Sequence, residues 1–195
     1  QQMHEADVVL STIPLTLMYY GLDSHYNVNI GNNNIAESRD VKDENGRLLY
    51  AANTGLLSVD PKRASFTTIR TGHMLDVALD RDTGGYIISD FTGPPGFIMR
   101  LKRDGTVTTV IPFGQAKLAY HPPTGDTFVS SGKSVYRLDR SNRLTTFVKD
   151  AGPYPALAVL ENGHIAVGPP GTHITAFDAT GRRIGKLYSG PGLAK

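Results

Sequence analysis

Short apolar runs of four to seven residues recur along the chain and are separated by turns rich in Gly, Asp and Asn. The runs are rich in Val, Ile, Leu, Phe, Tyr and Thr, which suit a pleated sheet. No window keeps apolar residues at helical spacing without a Gly or Pro interruption, so helices are nearly excluded. One unit predicts four strands, at Leu75 to Asp80, Tyr86 to Asp90, Phe97 to Lys102 and Thr106 to Ile111.

Two landmarks in the sequence repeat with one period. Apolar runs end at positions separated by 37, 42, 37 and 39 residues, namely Asp23, Asp60, Lys102, Asp139 and Asp178. A turn precedes the next strand-like run at Asn45-Gly46, Gly84-Gly85, Thr124-Gly125 and Asn162-Gly163. Four antiparallel strands about every forty residues form the blade of a β-propeller. A β-sandwich is not expected to repeat its turns so regularly, and a solenoid repeat is usually shorter.

The repeat predicts an all-β, single propeller domain over residues 1–195, with blades at about 1–34, 35–72, 73–114, 115–152 and 153–195. We number these blades 1 to 5. Blade 1 starts at the equivalent of a second strand, Asp7 to Thr12, and so lacks its inner strand, whereas the other four are complete. Three arrangements would protect the open edge. The tail at 189–195 could close a five-bladed ring, the chain could be part of a six-bladed or larger ring, or a second chain could complete the ring; the larger ring is favoured.

Composition excludes several classes of function. Net charge is +2 with acids and bases interspersed, which is unlike the basic surface that binds nucleic acid. The chain has no Cys, so disulfides, thiolate metal sites and a Cys nucleophile are excluded. The segment Ala6 to Leu22 is apolar, but it contains Asp7 and Pro14 and lacks the basic start of a signal peptide. We interpret it as two strands and expect no membrane span.

The segment from Asp76 to Val110 resembles the repeat of NHL and SMP-30/gluconolactonase-like propellers. The matching elements are Val77-Ala78-Leu79-Asp80, Gly84-Gly85, Ile87-Ile88-Ser89-Asp90, Ile98 to Leu101 and Asp104-Gly105. Blades 4 and 5 match more loosely, because their second strands do not end in Asp. This superfamily contains lactonases, a streptogramin lyase and repeats that only bind, so the fold alone does not define the function.

In such propellers, the loops between blades and the loops between second and third strands lie on one face, which we call the linker face. The polar or aromatic candidates for ligand contact on this face are Arg39, Gln115, Lys117, Tyr154 and His173. His73 begins an inner strand and could face the channel as a general base. The resemblance implies that it would act together with an acid, for which Asp90 is the candidate. The structural alternatives are that His73 is a solvated loop residue and that Asp90 closes its strand by accepting hydrogen bonds from loop amides.

The resemblance also implies a divalent cation held on the ring axis by Glu, Asn and Asp. Glu37, Asn53 and Asp90 have this chemistry, and hard oxygen ligands suit Ca²⁺ or another divalent cation. Glu37 could equally be an exposed loop acid. No cofactor follows from the residues alone.

The leading functional hypothesis is a scaffold that binds a small molecule or a protein partner on the linker face. The alternative is an SMP-30/gluconolactonase-like or lyase-like metal-assisted enzyme, a hydrolase or lyase acting on a small polar substrate such as a lactone. No GxSxG, HExxH or P-loop motif is present. The sequence does not decide the compartment, with a periplasmic or secreted location slightly favoured.

Overall fold

The computed structural model of the chain describes residues 19–22, 28–30, 33–34, 41–42, 45, 47–52, 54–60, 63, 65–80, 82–168 and 173–189. Every regular element among these residues is a β-strand. The described part of the chain has no helix of the length and hydropathy needed to cross a membrane.

Blade 1 is described as a three-stranded antiparallel sheet of β1 (Tyr19–Leu22), β2 (Val28–Ile30) and β3 (Asn33–Asn34). β1 lies at the end of the segment Ala6 to Leu22, which was predicted to form two strands, while the predicted second strand, Asp7 to Thr12, lies outside the described residues. β3 follows β2 in the chain and pairs with it. Two Asn residues carry no β-strand signal in their side chains, although their backbone can still form the ladder.

Blades 2 to 5 are four-stranded antiparallel sheets whose strands follow the chain order. Blade 2 contains β4 (Val41–Lys42), β5 (Leu48–Ala52), β6 (Gly55–Asp60) and β7 (Ser65–Thr71). Blade 3 contains β8 (Met74–Asp80), β9 (Gly85–Asp90), β10 (Phe97–Leu101) and β11 (Val107–Pro112). Blade 4 contains β12 (Lys117–His121), β13 (Asp126–Ser131), β14 (Ser134–Leu138) and β15 (Leu144–Val148). Blade 5 contains β16 (Ala156–Val159), β17 (Ile165–Gly168), β18 (His173–Phe177) and β19 (Arg183–Ser189).

These sheets confirm the predicted all-β fold and the four-stranded repeat. In blade 3 each strand differs from its predicted bounds by one residue at one or both ends. The Gly residues predicted to form tight turns between inner and second strands adopt positive φ, at +69° for Gly84, +71° for Gly125 and +78° for Gly163. Residues that carry a side chain rarely adopt this backbone conformation. This explains why Gly recurs at a regular spacing in the sequence.

The hydrophobic core lies between successive blades. β9 is buried on both faces: Tyr86 and Ile88 pack with blade 2, whereas Ile87 packs with blade 4. Side chains alternate across a strand, so neighbouring residues of β9 enter different interfaces. Phe128 belongs to the next interface, between blades 4 and 5, together with Val135, Leu157, Ile165 and Val167. Each fully buried side chain of this size contributes about 1.5–3 kcal/mol of hydrophobic free energy.

Polar contacts join blade 3 to blade 4 on the face opposite the linker face, which we call the hairpin face. Arg100 in β10 donates from Nη1 to the Asp80 carboxylate (2.7 Å), from Nε to the Asn142 side-chain oxygen (2.6 Å) and from Nη2 to the Asp139 carbonyl (3.1 Å). Asp80 ends the inner strand of blade 3, and Asn142 and Asp139 belong to a turn in blade 4. One guanidinium therefore ties two blades together.

His121 joins blade 4 to blade 5 on the same face. Its Nε2 lies 2.8 Å from the carbonyl oxygen of Gly163, which can only accept, so Nε2 carries the proton of the bond. Its Nδ1 lies 2.8 Å from the hydroxyl of Thr124, and its ring packs edge-on against Phe128. The buried His121 is thus part of the framework that joins these two blades.

A carboxylate also connects the inner strands of blades 3 and 4. Asp76 in β8 is buried, and its Oδ2 accepts a hydrogen bond of 2.7 Å from the backbone N–H of Leu118 in β12. The N–H of Val77 donates to the other oxygen, Oδ1, at 2.9 Å.

Candidate functional site

The strand ends show which of the described residues form the linker face. Inner strands begin there and second strands end there, so the backbone brings together five loop segments, at 72–73, 91–96, 113–116, 132–133 and 149–155. Backbone hydrogen bonds hold them, including those from Phe91 N–H to the His73 carbonyl (2.7 Å) and from Ala151 N–H to the Lys133 carbonyl (2.7 Å). The loops of the linker face are therefore fixed to one another by backbone hydrogen bonds.

The structure brings His73 and Asp90 to one junction. Asp90 ends β9 with 3% of its surface exposed, and its Oδ1 accepts hydrogen bonds from the Thr92 N–H (2.8 Å) and hydroxyl (2.5 Å). The Thr92 hydroxyl oxygen in turn accepts the backbone N–H of His73 (2.9 Å). The half-buried His73 ring packs edge-on against Phe91, with centroids 6.1 Å apart.

The contacts of Asp90 determine what chemistry it has available. Its Oδ1 is used by Thr92, and its Oδ2 lies 3.8 Å from Nε of Arg70 in β7. A guanidinium beside a carboxylate opposes the binding of a cation to the same oxygen. In its described contacts, Asp90 closes the loop after β9 and pairs with the preceding blade. A catalytic role for it stays a prediction.

The described residues do not supply the predicted metal site. Glu37 and Asn53, two of its three predicted ligands, lie outside them, as does Arg39 among the ligand-face candidates. Among the residues that the structure describes, no group of three or more His, Asp and Glu side chains is placed to hold a metal ion. The metal therefore stays a prediction, and we derive no chemical step through it.

Gln115 and Lys117 lie at the junction between blades 3 and 4. Gln115 is exposed, and its carbonyl accepts the Ser131 hydroxyl at 2.6 Å. Lys117 is the first residue of β12, where it pairs with Ser130. The Ser130 hydroxyl donates to the Pro155 carbonyl at 2.6 Å, which fixes the entry into blade 5.

Tyr154 is the most exposed large apolar side chain among the described residues, at 65%. Its φ of +46° is in the left-handed region, and the same loop holds Asp150 at +53°. Such conformations are unfavourable for residues other than Gly and persist where neighbouring structure imposes them. Here the Tyr154 N–H donates to the Gly132 carbonyl at 2.6 Å.

His173 is the first residue of β18 in blade 5. It is half-buried and lines a groove between blades 4 and 5 together with Asp150. His173 is therefore separated from the His73 junction by blade 4.

The sequence-based candidates omitted Thr92 and Arg70, the two partners of Asp90. The contact between Thr92 and Asp90 could have been predicted from the sequence, because an Asp followed two residues later by Thr forms a local side-chain turn. The same spacing recurs at Asp104 and Thr106 and at Asp178 and Thr180, with the same bond from the Thr N–H to the Asp Oδ1. Arg70 had no such signal, because it lies on the outer strand of another blade.

No protein-family model and no curated protein matches the chain. Among solved structures, a gluconolactonase from Xanthomonas campestris matches with a TM-score of 0.64 and 15% identity, over 77% of this chain and 61% of the other. Streptogramin B lyase matches with a TM-score of 0.58 and 14% identity, over 86% and 59%. The extracellular domain of a hybrid two-component system from Bacteroides thetaiotaomicron matches with a TM-score of 0.60 and 14% identity, over 83% and 23%.

These similarities define the class of the protein by its fold, a β-propeller, in agreement with the repeat in the sequence. At such low identity they establish the fold alone. The chain spans about three fifths of the gluconolactonase and lyase structures, at 61% and 59% of their lengths.

Proposed function

We propose that the propeller is a binding scaffold and that its linker face contacts a small molecule or a protein partner. The observation that carries the proposal is Tyr154, an aromatic side chain that is 65% exposed on a backbone held at positive φ. An aromatic ring with few rotatable bonds loses little conformational entropy on binding. A loop that hydrogen bonds already fix in place loses still less conformational entropy on binding.

The surroundings of Tyr154 support this proposal. Other loops of the same face contain the exposed Gln115 and the half-buried His73, so aromatic and hydrogen-bonding groups share one face. Binding sites are often built on loops that a rigid scaffold positions. In this chain the scaffold is the set of blade interfaces beneath the loops.

The test maps the binding surface by amide NMR with a fragment mixture of small aromatic and hydroxylated compounds. We expect shifts to cluster at residues 73, 91–96, 113–117, 132–133 and 150–154, and Tyr154→Ala to weaken them several-fold. Phe66→Ala is the matched control, because Phe66 is also an exposed aromatic but lies on outer strand β7. Shifts confined to the hairpin face, or an equal effect of both variants, would contradict the proposal.

A second candidate is a metal-assisted hydrolase or lyase of the lactonase type. It is favoured by the junction that joins His73 to Asp90 through Thr92 and by the fold shared with a gluconolactonase and a lyase. Elemental analysis and hydrolysis of small lactones, on wild type and on the Glu37→Gln and Asp90→Asn variants, test it. The candidate requires stoichiometric metal that these variants lose; a metal-free wild type without lactone hydrolysis would exclude it.

Two further proposals concern location and assembly. The likeness to an extracellular domain supports a periplasmic or secreted location, which cell fractionation would test. Completion of the ring, by the tail at 189–195, by a longer chain or by a second chain, stays a prediction, and intact mass with the oligomeric state in solution would distinguish these arrangements.

A further inference from the structure

A groove of about 380 Å³ opens between blades 4 and 5. Its apolar lining includes Val148 at the end of β15, Val167 in β17 and Phe177 in β18. Small-molecule sites usually occupy clefts of about 300–1,000 Å³ with mainly apolar walls and a few polar groups. The groove has the size expected of such a site, and half of its lining residues are polar or charged.

The walls of the groove are held by packing and by the backbone. Phe177 packs edge-on against Phe147, with ring centroids 6.0 Å apart, and Phe147 packs against Phe128 at 4.5 Å. At the linker-face end, Asp150 and Ala151 form the wall, and the Ala151 N–H donates to the Lys133 carbonyl at 2.7 Å. Asp150 has a φ of +53°, the kind of backbone strain that is concentrated at ligand sites.

The polar groups are distributed unequally along the groove. Arg183 lies at the hairpin-face end, opposite Phe177 in the β18–β19 pair, whereas His173 lies at the linker-face end of β18. The four residue steps from His173 to Phe177 correspond to about 13 Å of extended strand. Lys149 and Asp150 accompany His173, so that end offers both donors and an acceptor.

Arg183 is an exposed cation beside an apolar surface. None of the ion pairs found among the described residues involves Arg183 or Lys149. With His173 neutral, the charged side chains of the lining are these two cations and Asp150, which leaves one positive charge in excess. The planar guanidinium binds a carboxylate through two parallel hydrogen bonds, and the single positive charge in excess matches a ligand with one negative charge.

We propose that this groove binds an elongated amphipathic carboxylate. The carboxylate pairs with Arg183, the apolar body lies over Val148, Val167 and Phe177, and a polar far end forms hydrogen bonds with Lys149, Asp150 or His173. The buried Thr175 adds a hydroxyl in the middle of the groove. This site goes beyond the proposed function, because it opens between two blades and does not use Tyr154.

The test uses two probes that differ only in the carboxylate, 8-hydroxyoctanoate and octane-1,8-diol, followed by amide NMR at millimolar concentration. We expect 8-hydroxyoctanoate to shift residues 148–152, 173–177 and 183, and the diol to bind at least several-fold more weakly. Removal of a charged hydrogen bond corresponds to about a tenfold loss of affinity, so Arg183→Gln should weaken the carboxylate by that factor. Arg183→Lys should retain part of the affinity.

Two control variants keep the outcome interpretable. Lys102→Gln removes an exposed charge from a turn of blade 3 and should leave binding unchanged. Tyr154→Ala should also leave it unchanged, so failure of the linker-face proposal and failure of this one are distinguishable. Arg183 is exposed, and the NMR spectrum itself reports whether the variant folds. Equal binding of the two probes, an Arg183→Gln variant that binds like wild type, or no localised shifts would each overturn the proposal.

Discussion

At the scale of single residues, one short motif accounts for several turns. An Asp accepts the N–H of a Thr two residues later at Asp90, Asp104 and Asp178. The side-chain hydrogen bonds of Thr106 and Thr180 are the main reason why the pKa values of Asp104 and Asp178 lie below the ordinary value. Asp178 also pairs with Arg182 at 3.0 Å. These contacts are local, and the sequence can therefore predict them.

Asp178 is expected to make stability depend on pH only under acidic conditions. Its pKa is lower in the folded protein than in the unfolded chain, so its ionised form stabilises the fold. That contribution is complete above the unfolded pKa of about 3.9 and is lost as the pH falls through the folded value. Wild type should thus be more stable than Asp178→Asn at neutral pH, and the difference should shrink below about pH 4.

Denaturant unfolding at several pH values measures this difference, and carboxyl NMR reports the titration of Asp178 directly. An Asp178 carboxyl that titrates in the ordinary range, or a difference in stability that persists unchanged into acid, would contradict the prediction.

At the scale of strands and blades, Arg residues at equivalent positions of two blades form different contacts. Arg100 and Arg137 occupy the same place in the third strands of blades 3 and 4. Arg100 reaches Asp80 and the next blade, whereas Arg137 pairs with Asp126 inside its own blade, at 2.6 Å. The strand bounds were predictable because they depend on local apolar pattern. The choice of partner was not, since it depends on which side chains an adjacent blade brings within reach.

This difference predicts unequal costs for one substitution. Arg100→Met should lower the free energy of unfolding by about 3 kcal/mol, because it leaves Asp80 as a buried carboxylate without its partner. The Asp80 side chain is 3% exposed and that of Arg100 12%. Arg137→Met also leaves a buried carboxylate, because the Asp126 side chain is 4% exposed. It should nevertheless cost less, because Arg137 is 39% exposed and its described side-chain bonds stay within blade 4, whereas Arg100 also bonds to Asn142 and Asp139 of the next blade.

Chemical denaturation of both variants tests the comparison. An Arg137→Met variant that loses as much stability as Arg100→Met would show that the contacts between blades contribute nothing extra. The Asp80→Asn, Arg100→Met double variant should recover part of the loss, since it removes the unpaired charge.

At the scale of the whole molecule, the core is a series of interfaces between neighbouring blades. Ile87 and Ile88 show the principle, since consecutive residues pack against different blades. The sequence predicted the repeat and the second strands from their continuous apolar runs. It did not locate the groove between blades 4 and 5, because Lys149, His173 and Arg183 are separated by up to 34 positions (183−149) and meet only after the blades pack.

Interfaces of this kind predict that a core defect acts mainly on the blades that share it. Phe128→Ala should cost about 3–5 kcal/mol, because Phe128 is fully buried between blades 4 and 5. In repeat structures each unit contacts chiefly its neighbours, so amide hydrogen exchange should accelerate more in β12 to β18 than in β5 and β6. Uniform acceleration across all blades would instead indicate that the described part of the chain unfolds as one cooperative unit.

The carboxylate of Asp76 has a consequence for how the protein avoids association. An inner strand is the edge of its sheet, and the free N–H groups of an edge can pair with a strand from another molecule. Asp76 occupies one such group, the N–H of Leu118, and it places a buried charge at the same position. An incoming strand would have to displace that hydrogen bond and desolvate the carboxylate. A side chain on one blade thus blocks strand addition at the edge of its neighbour.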